Sequence, residues 1–362
     1  MEGSRGRGGS RAGSSRRRPS AGPASAEPAA EATTGGQDDR EPDGGAVVSG
    51  AQTDHGHSRA VRFDHYGDLD VLYVADIDVP VPAMDEVVVR MRAASVNPGE
   101  TAIRTGALAE IFPATFPSGE GSDLAGVVSD VGPGVTQFSA GDEVLGWSDR
   151  RTSHADHIVV PVAQLIRKPR ELSWEVAGSL YVVGSTAYAA VRAIGAGAGD
   201  TVAVSAAAGG VGTVATQLLR LKGATVLGIS SAGSGDYLRS LGAVPIAYGD
   251  GLEDRLRAAA PDGIDAFIDL FGPEYVDLAI SLGVLPERID TVIAPDAAQK
   301  YGAKSEGGIA ATSTEVLTEL ADLVASGRLT IPIVATYPLE RVKDAYEELS
   351  HRHTHGKIVL VP

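Results

Sequence analysis

Residues 205–230 read SAAAGGVGTVATQLLRLKGATVLGIS, and this stretch sets the fold class. It follows a short apolar run, TVAVS at 201–205, of the kind that forms a buried strand. Val211, Ala215, Leu218 and Leu219 then recur at helical spacing, and TVLGIS at 225–230 is a second buried-type strand. Between strand and helix, residues 207–212 read A-A-G-G-V-G. Set against the pattern G-x-G-x-x-G, Ala207 takes the first glycine slot, Gly209 the second and Gly212 the third. A glycine in the second slot lets backbone amides approach a pyrophosphate, and one in the third lets the helix pack closely on the strand. The anion would lie at the helix N-terminus, where unpaired N–H groups and the helix dipole favour negative charge. Glycines that open a helix can serve packing alone. It is the strand before the turn, and the helix and strand after it, that point to a dinucleotide site.

The same rhythm continues outward. TVAVS, TVLGIS, VPIAY, AFIDLF and IDTVI alternate with helical periods, which predicts a doubly wound parallel sheet with helices on both faces. Upstream, from about 60 to 170, short strand patterns and turn clusters dominate. Val87, Val89 and Met91 alternate with Val88, Arg90 and Arg92, a half-buried strand. Ser173 is placed to cap a helix running to 180, and a second helix is expected over 185–194. The last segment reads as a helix near 314–326, a strand near 329–336, a helix near 339–349 and the final strand KIVLVP. It lacks the βαβ rhythm and is expected to pack back on the first domain. The architecture is therefore α/β, a Rossmann-type sheet (181–314) inserted in a β-rich, barrel-like domain (59–180, completed by about 315–362).

Composition bounds the function. Of 362 residues, 43% are hydrophobic and 22% charged, ordinary for a soluble globular enzyme. A net charge of −16 argues against a broad nucleic-acid-binding face. There is no cysteine, which removes disulfides, thiol nucleophiles and every cysteine-ligated zinc site. No apolar run approaches the ~18 residues of a membrane helix, so no membrane partner is expected. Residues 1–58 form a low-complexity tail. MEGSRGRGGSRAGSSRRRPSAGPASAEPAA is almost free of large apolar residues and is expected to be disordered. Its arginines (Arg5, Arg7, Arg11, Arg16, Arg17, Arg18) are not followed by the apolar core of an export signal. A solvated extension or an over-long start is favoured over a transit peptide or an RNA-touching tail.

The end of the second strand bears on cofactor choice. NAD enzymes usually place an acid there, about 20 residues past the fingerprint, to hold the ribose hydroxyls. This chain has Ser230 and Ser231, with Asp236 the first acid after them. A carboxylate would repel a 2′-phosphate, whereas hydroxyls can donate to it, so NADP(H) is the expected cofactor. Arg239 is the nearest basic candidate. The histidines of HRHTH (His351, His353, His355) could share one face of an extended strand and bind a metal, but a solvated turn is the favoured reading. His154 and His157 fit a groove lining or a surface loop equally.

AAAGGVGTVATQL, with GSTAY upstream, VNPGETAIRTG and GSDLAGVV in the first domain and GKIVLVP at the end, resembles the zinc-independent quinone oxidoreductases, which include zeta-crystallin. These belong to the medium-chain dehydrogenase/reductase superfamily, and the resemblance spans about 60–362. It implies a GroES-like barrel and NADPH-dependent reduction of a quinone or an α,β-unsaturated carbonyl. It also implies a homodimer with nicotinamide and substrate in the groove between the two domains, and a cytoplasmic location is expected. Carried over by motif, Gly209, Gly210, Val211 and Gly212 would bind the pyrophosphate. Thr186 would lie by a phosphate or the nicotinamide ribose, and Tyr248 by the 2′-phosphate or adenine. Lys357 would approach NADP, and Asn97 would line the nicotinamide pocket. Zinc-dependent relatives carry Cys where Asn97-Pro98 stands and Gly-His-Glu where Gly121-Ser122-Asp123 stands. Without a Lewis acid, alcohol oxidation is disfavoured. Hydride addition to a polarised enone or quinone needs only donors at the developing oxyanion, for which the Asn97 amide and backbone N–H groups are candidates. Asp123 either braces its loop or touches the chemistry. The alternative is a catalytically silent, crystallin-like NADPH-binding protein. Glu100 in place of Asp, the stretch SGEGSD, and the short, polar LGVLPERIDTVIAP depart from the family pattern.

Overall fold

A computed structural model describes residues 56–351 and 355–362. The expected tail disorder, its arginine cluster and His353 lie outside the described residues, except that strand β1 begins at His57. The first domain contains β1 (His57–Phe63), β2 (Tyr73–Asp78), β3 (Glu86–Ser95), β4 (Ser118–Gly119), β5 (Asp123–Val131), β6 (Glu143–Trp147), β7 (His157–Pro161) and β8 (Leu165–Arg167), with one short helix, α1 (Pro98–Arg104). Strand β3 is its axis, pairing antiparallel with β5 and β7. Val87, Val89 and Met91 are buried as the alternation requires. Val88 is buried too, leaving Arg90 and Arg92 as the exposed positions of the strand.

The link between the domains differs from the expected pair of helices. The Ser173 side chain accepts from Val176 N and caps α2, but α2 (Trp174–Ala177) stops after one turn. Gly178 lies so close beneath β3 that a Cβ there would come within 2.4 Å of the Ala93 carbonyl, and its own carbonyl accepts from Ser95 N. That contact interrupts the helix. α3 (Leu180–Ala193) therefore starts five residues ahead of the expected position.

Five parallel strands follow: β9 (Thr201–Val204), β10 (Thr225–Ser230), β11 (Val244–Ala247), β12 (Ala266–Asp269) and β13 (Ile289–Thr291). They are joined by α4 (Gly210–Leu221), α5 (Gly235–Ser240), α6 (Leu252–Ala259) and α7 (Pro273–Ser281), and α8 (Pro295–Tyr301) follows β13. The order β11-β10-β9-β12-β13 reverses direction between β9 and β12, and open α/β sheets bind ligands in the crevice at such a point. Asp269, fully buried at the end of β12, ties that crevice together. It accepts from Ser205 Oγ (2.8 Å), Thr291 Oγ1 (2.7 Å) and the backbone N–H of Phe271 and Gly272.

The chain then returns to the first domain through α9 (Thr314–Ala325), β14 (Ile333–Pro338), α10 (Val342–Ser350) and β15 (Lys357–Val361). β15 runs parallel to β14 and antiparallel to β3, pairing Val359 with Ser95. β14 begins later than the apolar pattern suggested. Thr330 has its backbone N–H and C=O satisfied by the side-chain amide of Gln217 on α4, at 2.9 Å each, so it has no need of a ladder partner. Among the described residues no helix is long and apolar enough to cross a membrane.

Replacing Asp269 with Ala leaves two buried hydroxyls and two backbone N–H groups without their acceptor. We expect a loss of about 2–4 kcal/mol, read as a lower urea midpoint with an unchanged m-value. An unaltered midpoint would show that Asp269 does not hold the crevice.

Candidate active site

At the switch point, β9 ends at Val204 and Ser205 is anchored to Asp269. The backbone turns at Ala206, whose φ is +47°, one residue before the slot that sequence spacing assigned to the first glycine. An alanine in this left-handed region is strained by roughly 1–2 kcal/mol. Such strain tends to persist at functional turns.

The two key glycines have separate reasons. A Cβ on Gly212 would lie 2.3 Å from the Ala206 carbonyl and 2.6 Å from Ala207 Cα, so the fold itself demands glycine there. Gly209 has ordinary extended backbone (φ −77°, ψ 176°), and a Cβ on it would meet only the Ala206 carbonyl, at 3.3 Å. Apart from that one tight approach, nothing in the protein fills the space before Gly209. Helix α4 starts behind it with no side chain capping its N-terminus. An open cradle before uncapped N–H groups suits a pyrophosphate, and the residues fit a dinucleotide. Gly210 faces Val183 of α3 and the stem of Lys357, whose Cδ lies 3.3 Å from where its Cβ would be. Val211 is half-buried beside them.

Lys357 leads from this turn into the first domain. Its ammonium is buried and donates to the Val96 carbonyl (3.2 Å) and to Asn97 Oδ1 (2.5 Å), with Asp123 Oδ2 at 3.9 Å. Asp123 is fully buried and accepts from Ser95 Oγ, from Asn97 Nδ2 (3.0 Å) and from Val182 N (2.7 Å). Burial pushes its carboxyl up, and Lys357 and these donors oppose that. Burial likewise pushes the Lys357 ammonium down, against Asp123 and Glu100. Asn97 is locked between them. Its Nδ2 donates to Asp123 and to Glu100 Oε1 (3.2 Å), and its backbone N–H donates to Glu100 Oε2 (2.8 Å). Neither amide hydrogen is free for a substrate oxygen, which corrects the expectation that Asn97 donates to an oxyanion. Asp123, saturated with donors, braces α3 against β3 and β5.

A second cluster lies where β10 and β11 end. Ser230 is buried, with its hydroxyl donating to the Ser231 carbonyl (3.2 Å), while its own carbonyl accepts from Tyr248 N (3.0 Å). The Tyr248 ring is exposed. Ser231 Oγ pairs with Ser234 Oγ (2.8 Å), and Ser234 Oγ pairs with His355 Nε2 (2.7 Å). The His355 ring stacks on Tyr237 at 5.2 Å and 1°, and the Tyr237 hydroxyl pairs with Thr213 Oγ1 (2.9 Å) in the first turns of α4. Ser234, Tyr237 and Thr213 were not singled out from the sequence, and His355 was read there as part of a solvated turn and not as a partner of this cluster. His355 is 121 residues from Ser234, and no local pattern announces a contact of that range. Arg239, the expected basic partner, is instead paired with Asp236 on the solvent side of α5.

Thr186 turns its hydroxyl onto the Val182 carbonyl (2.6 Å) and, with Ser185, faces Gly308, where a Cβ would come within 3.0 Å of both oxygens. Nearby, Tyr181 stacks on Trp147 at 5.0 Å and 12° and its hydroxyl pairs with Thr312. His154 is neither groove nor surface loop: it is buried, with Nε2 3.1 Å from the Ser95 carbonyl, and burial holds its pKa below the usual value. Among the described residues no three acidic or histidine side chains converge as a metal site.

Residues 83–170 match the alcohol dehydrogenase GroES-like domain family, and residues 241–360 the zinc-binding dehydrogenase family. The chain is 28% identical over 322 residues to the chloroplast envelope quinone oxidoreductase homolog of Arabidopsis thaliana, covering 84% of this chain and 98% of that one. Among solved structures it is similar to the quinone oxidoreductase from Coxiella burnetii, with TM-score 0.77, 29% identity, and 85% and 100% of the two chains covered. It is also similar to the Escherichia coli quinone oxidoreductase complexed with NADPH, with TM-score 0.74, 25% identity, and 84% and 100% covered.

The two glycines separate experimentally. Gly212→Ala should destabilise the fold by about 1–3 kcal/mol through overpacking. Gly209→Ala should leave the thermal midpoint within about 2 °C while weakening dinucleotide binding at least tenfold in titration calorimetry, a change of ~1.4 kcal/mol. Unchanged binding in Gly209→Ala would remove the pyrophosphate from this turn.

Proposed function

Because the chain belongs to the medium-chain dehydrogenase/reductase superfamily, we propose that it is an NADPH-dependent reductase acting without a catalytic metal on a quinone or an α,β-unsaturated carbonyl. The observation that carries the reading is the turn itself. Gly209 keeps a cradle open that the fold does not need, uncapped N–H groups face it, and Lys357 leads from it to the buried Asn97–Asp123 hub.

The reduced nicotinamide, when bound, supplies a hydride. The residues of the chain supply position and charge. Gly209, Gly210, Val211 and Gly212 hold the pyrophosphate on backbone N–H groups, and Thr186 and Ser185 flank the nicotinamide side. The Ser231–Ser234–His355 chain offers hydroxyls and an imidazole to a 2′-phosphate, with Tyr248 exposed beside them for the adenine side. No carboxylate stands among these groups to oppose a phosphate; Asp236 points away and is paired with Arg239.

The charge that develops on the acceptor oxygen has to be met by fixed donors. With both Asn97 hydrogens taken, that role falls to the Lys357 ammonium, which keeps one hydrogen beyond those given to Val96 and Asn97, and to backbone amides. Solvent provides the last proton. The donor set argues against zinc. Asn97-Pro98 and Gly121-Ser122-Asp123 provide one carboxylate between them, already committed to Ser95, Asn97 and Val182. A homodimer, by resemblance to the family, and a cytoplasmic location complete this reading.

The test is oxidation of NADPH and NADH across one- and two-ring quinones and short enones, with product analysis. We expect kcat/KM to favour NADPH at least tenfold, ~1.4 kcal/mol, and Ser231→Asp to abolish that preference. Equal use of both cofactors would defeat the reading of the Ser231–His355 cluster. Tight NADPH binding with no turnover of any acceptor would favour the silent, crystallin-like alternative.

A further inference from the structure

The last histidine of HRHTH, expected in a solvated turn, bridges the two halves of the molecule. His355 lies between α10 and β15, two residues before Lys357. Its Nε2 is 2.7 Å from Ser234 Oγ just before α5, and its ring lies parallel to that of Tyr237 at 5.2 Å. The Tyr237 hydroxyl is held in turn by Thr213 of α4, the helix that opens at the nucleotide turn. On the other side Gly356 is wedged in place. Its φ is +148°, and a Cβ on it would come within 2.4 Å of the Pro332 carbonyl, which accepts from Lys357 N at 2.8 Å. One packed glycine therefore separates a ring held by the nucleotide domain from the ammonium that serves the acceptor oxygen.

The hydrogens of this cluster are few enough to count. Ser230 gives its hydroxyl hydrogen to the Ser231 carbonyl and has none left. Ser231 is half-buried, and its Oγ is 2.8 Å from that of Ser234, which is buried. A hydroxyl carries one hydrogen, and a neutral imidazole carries one between its two nitrogens.

Two arrangements are open to such a chain. With the hydrogen on Nε2, His355 donates to Ser234, Ser234 donates to Ser231, and the Ser231 hydrogen is free for an outside acceptor. A doubly protonated ring runs the same way. With the hydrogen on Nδ1, Ser231 donates to Ser234, Ser234 donates to Nε2, and Ser231 turns a lone pair outward. Only the first arrangement suits an anion.

We propose that His355 is a positioning residue that senses the 2′-phosphate of NADPH through Ser234 and Ser231 and couples it to Lys357. The inference rests on the NADPH reading above. A phosphate at Ser231 takes the outward hydrogen, fixes the direction of the chain and requires Nε2–H to close it. Hydrogen bonds that all point one way polarise and strengthen one another, the more so toward a charged acceptor. His355 is thereby held on Ser234 and Tyr237, and through Gly356 the Lys357 ammonium is held on Asn97. NADH carries a hydroxyl at that point, which both donates and accepts, so it suits either arrangement and imposes neither. Discrimination between the two cofactors then falls on kcat as well as on binding.

The experiment uses the full chain, with histidine labelled for nitrogen NMR, and two probes, adenosine 2′,5′-bisphosphate and adenosine 5′-diphosphate. Calorimetry measures the affinity of each. The His355 signal, assigned by its loss in His355→Gln, reports which ring nitrogen carries the hydrogen. At about pH 8, where a free imidazole is neutral, the bisphosphate should raise the share of the Nε2–H form above that seen with the diphosphate. Tighter binding of the bisphosphate with the same share under both probes would overturn the proposal and leave the phosphate site standing. Equal affinity for the two probes would overturn both. In a kinetic arm, His355→Ala should lower kcat with NADPH about fivefold and leave kcat with NADH unchanged. His355→Gln, whose amide reaches Ser234 as a donor, should restore most of that loss. An equal loss with both cofactors would mark a merely structural role, and a loss in KM alone would mark a phosphate contact with no bearing on Lys357. Either result overturns the proposal. If no acceptor is turned over, the reductase reading fails while the two probes still decide the role of His355.

Discussion

A buried ammonium group joins the parts of this molecule that matter. Lys357 lies five residues from the end of the described chain, on a strand that pairs with the axis of the first domain. Its stem lies against Gly210 of the nucleotide turn, and its charge is met by Val96, Asn97 and Asp123. A lysine removed from water at such a place is tolerable only where partners satisfy it. That requirement couples the last strand, the Asn97 turn and the first turn of α4. Asp123 carries the coupling on to α3 through Val182 N. The crevice is thus framed by groups that depend on one another.

Polar groups are buried here in two hubs with different tasks. In the nucleotide half, Asp269 gathers Ser205, Thr291 and two backbone N–H groups, fixing where β9, β12 and β13 end. All its partners are neutral, so the arrangement positions the turn without bringing further charge near the anion. In the first domain the groups are charged, with Lys357 between Asn97 and Asp123 and Glu100 on the other side of Asn97. The two hubs approach each other at the nucleotide turn, where Gly210 faces the stem of Lys357. A ligand seated there would contact the consequences of both.

The parts legible in the sequence were those with local causes. The apolar strand, the glycine turn and the helical spacing of Ala215, Leu218 and Leu219 are neighbours along the chain, and the fold followed from them. The parallel sheet and the β-rich first domain were equally readable from alternation and rhythm. Boundaries were less so. Gly178 ends α2 because the Ala93 carbonyl lies beneath it, and β14 starts late because Gln217 satisfies Thr330. Both causes come from residues far away in sequence. The left-handed turn falling on Ala206 and not on Ala207 is a backbone fact that a residue pattern cannot register.

By itself, the sequence determined that the chain carries a nucleotide-type α/β sheet within a β-rich domain, that no thiolate is available to any metal, and that serines and not an acid stand at the end of the second strand. These are matters of composition and of spacing along the chain. Only the tertiary structure decided which glycine is open and which is packed, that Asn97 has no free hydrogen, that His355 meets Ser234, and that Lys357 reaches Asn97. Each of those depends on what lies across space from a side chain. Burial, hydrogen-bond saturation and charge balance are properties of neighbourhoods, and a neighbourhood exists only once the chain has folded.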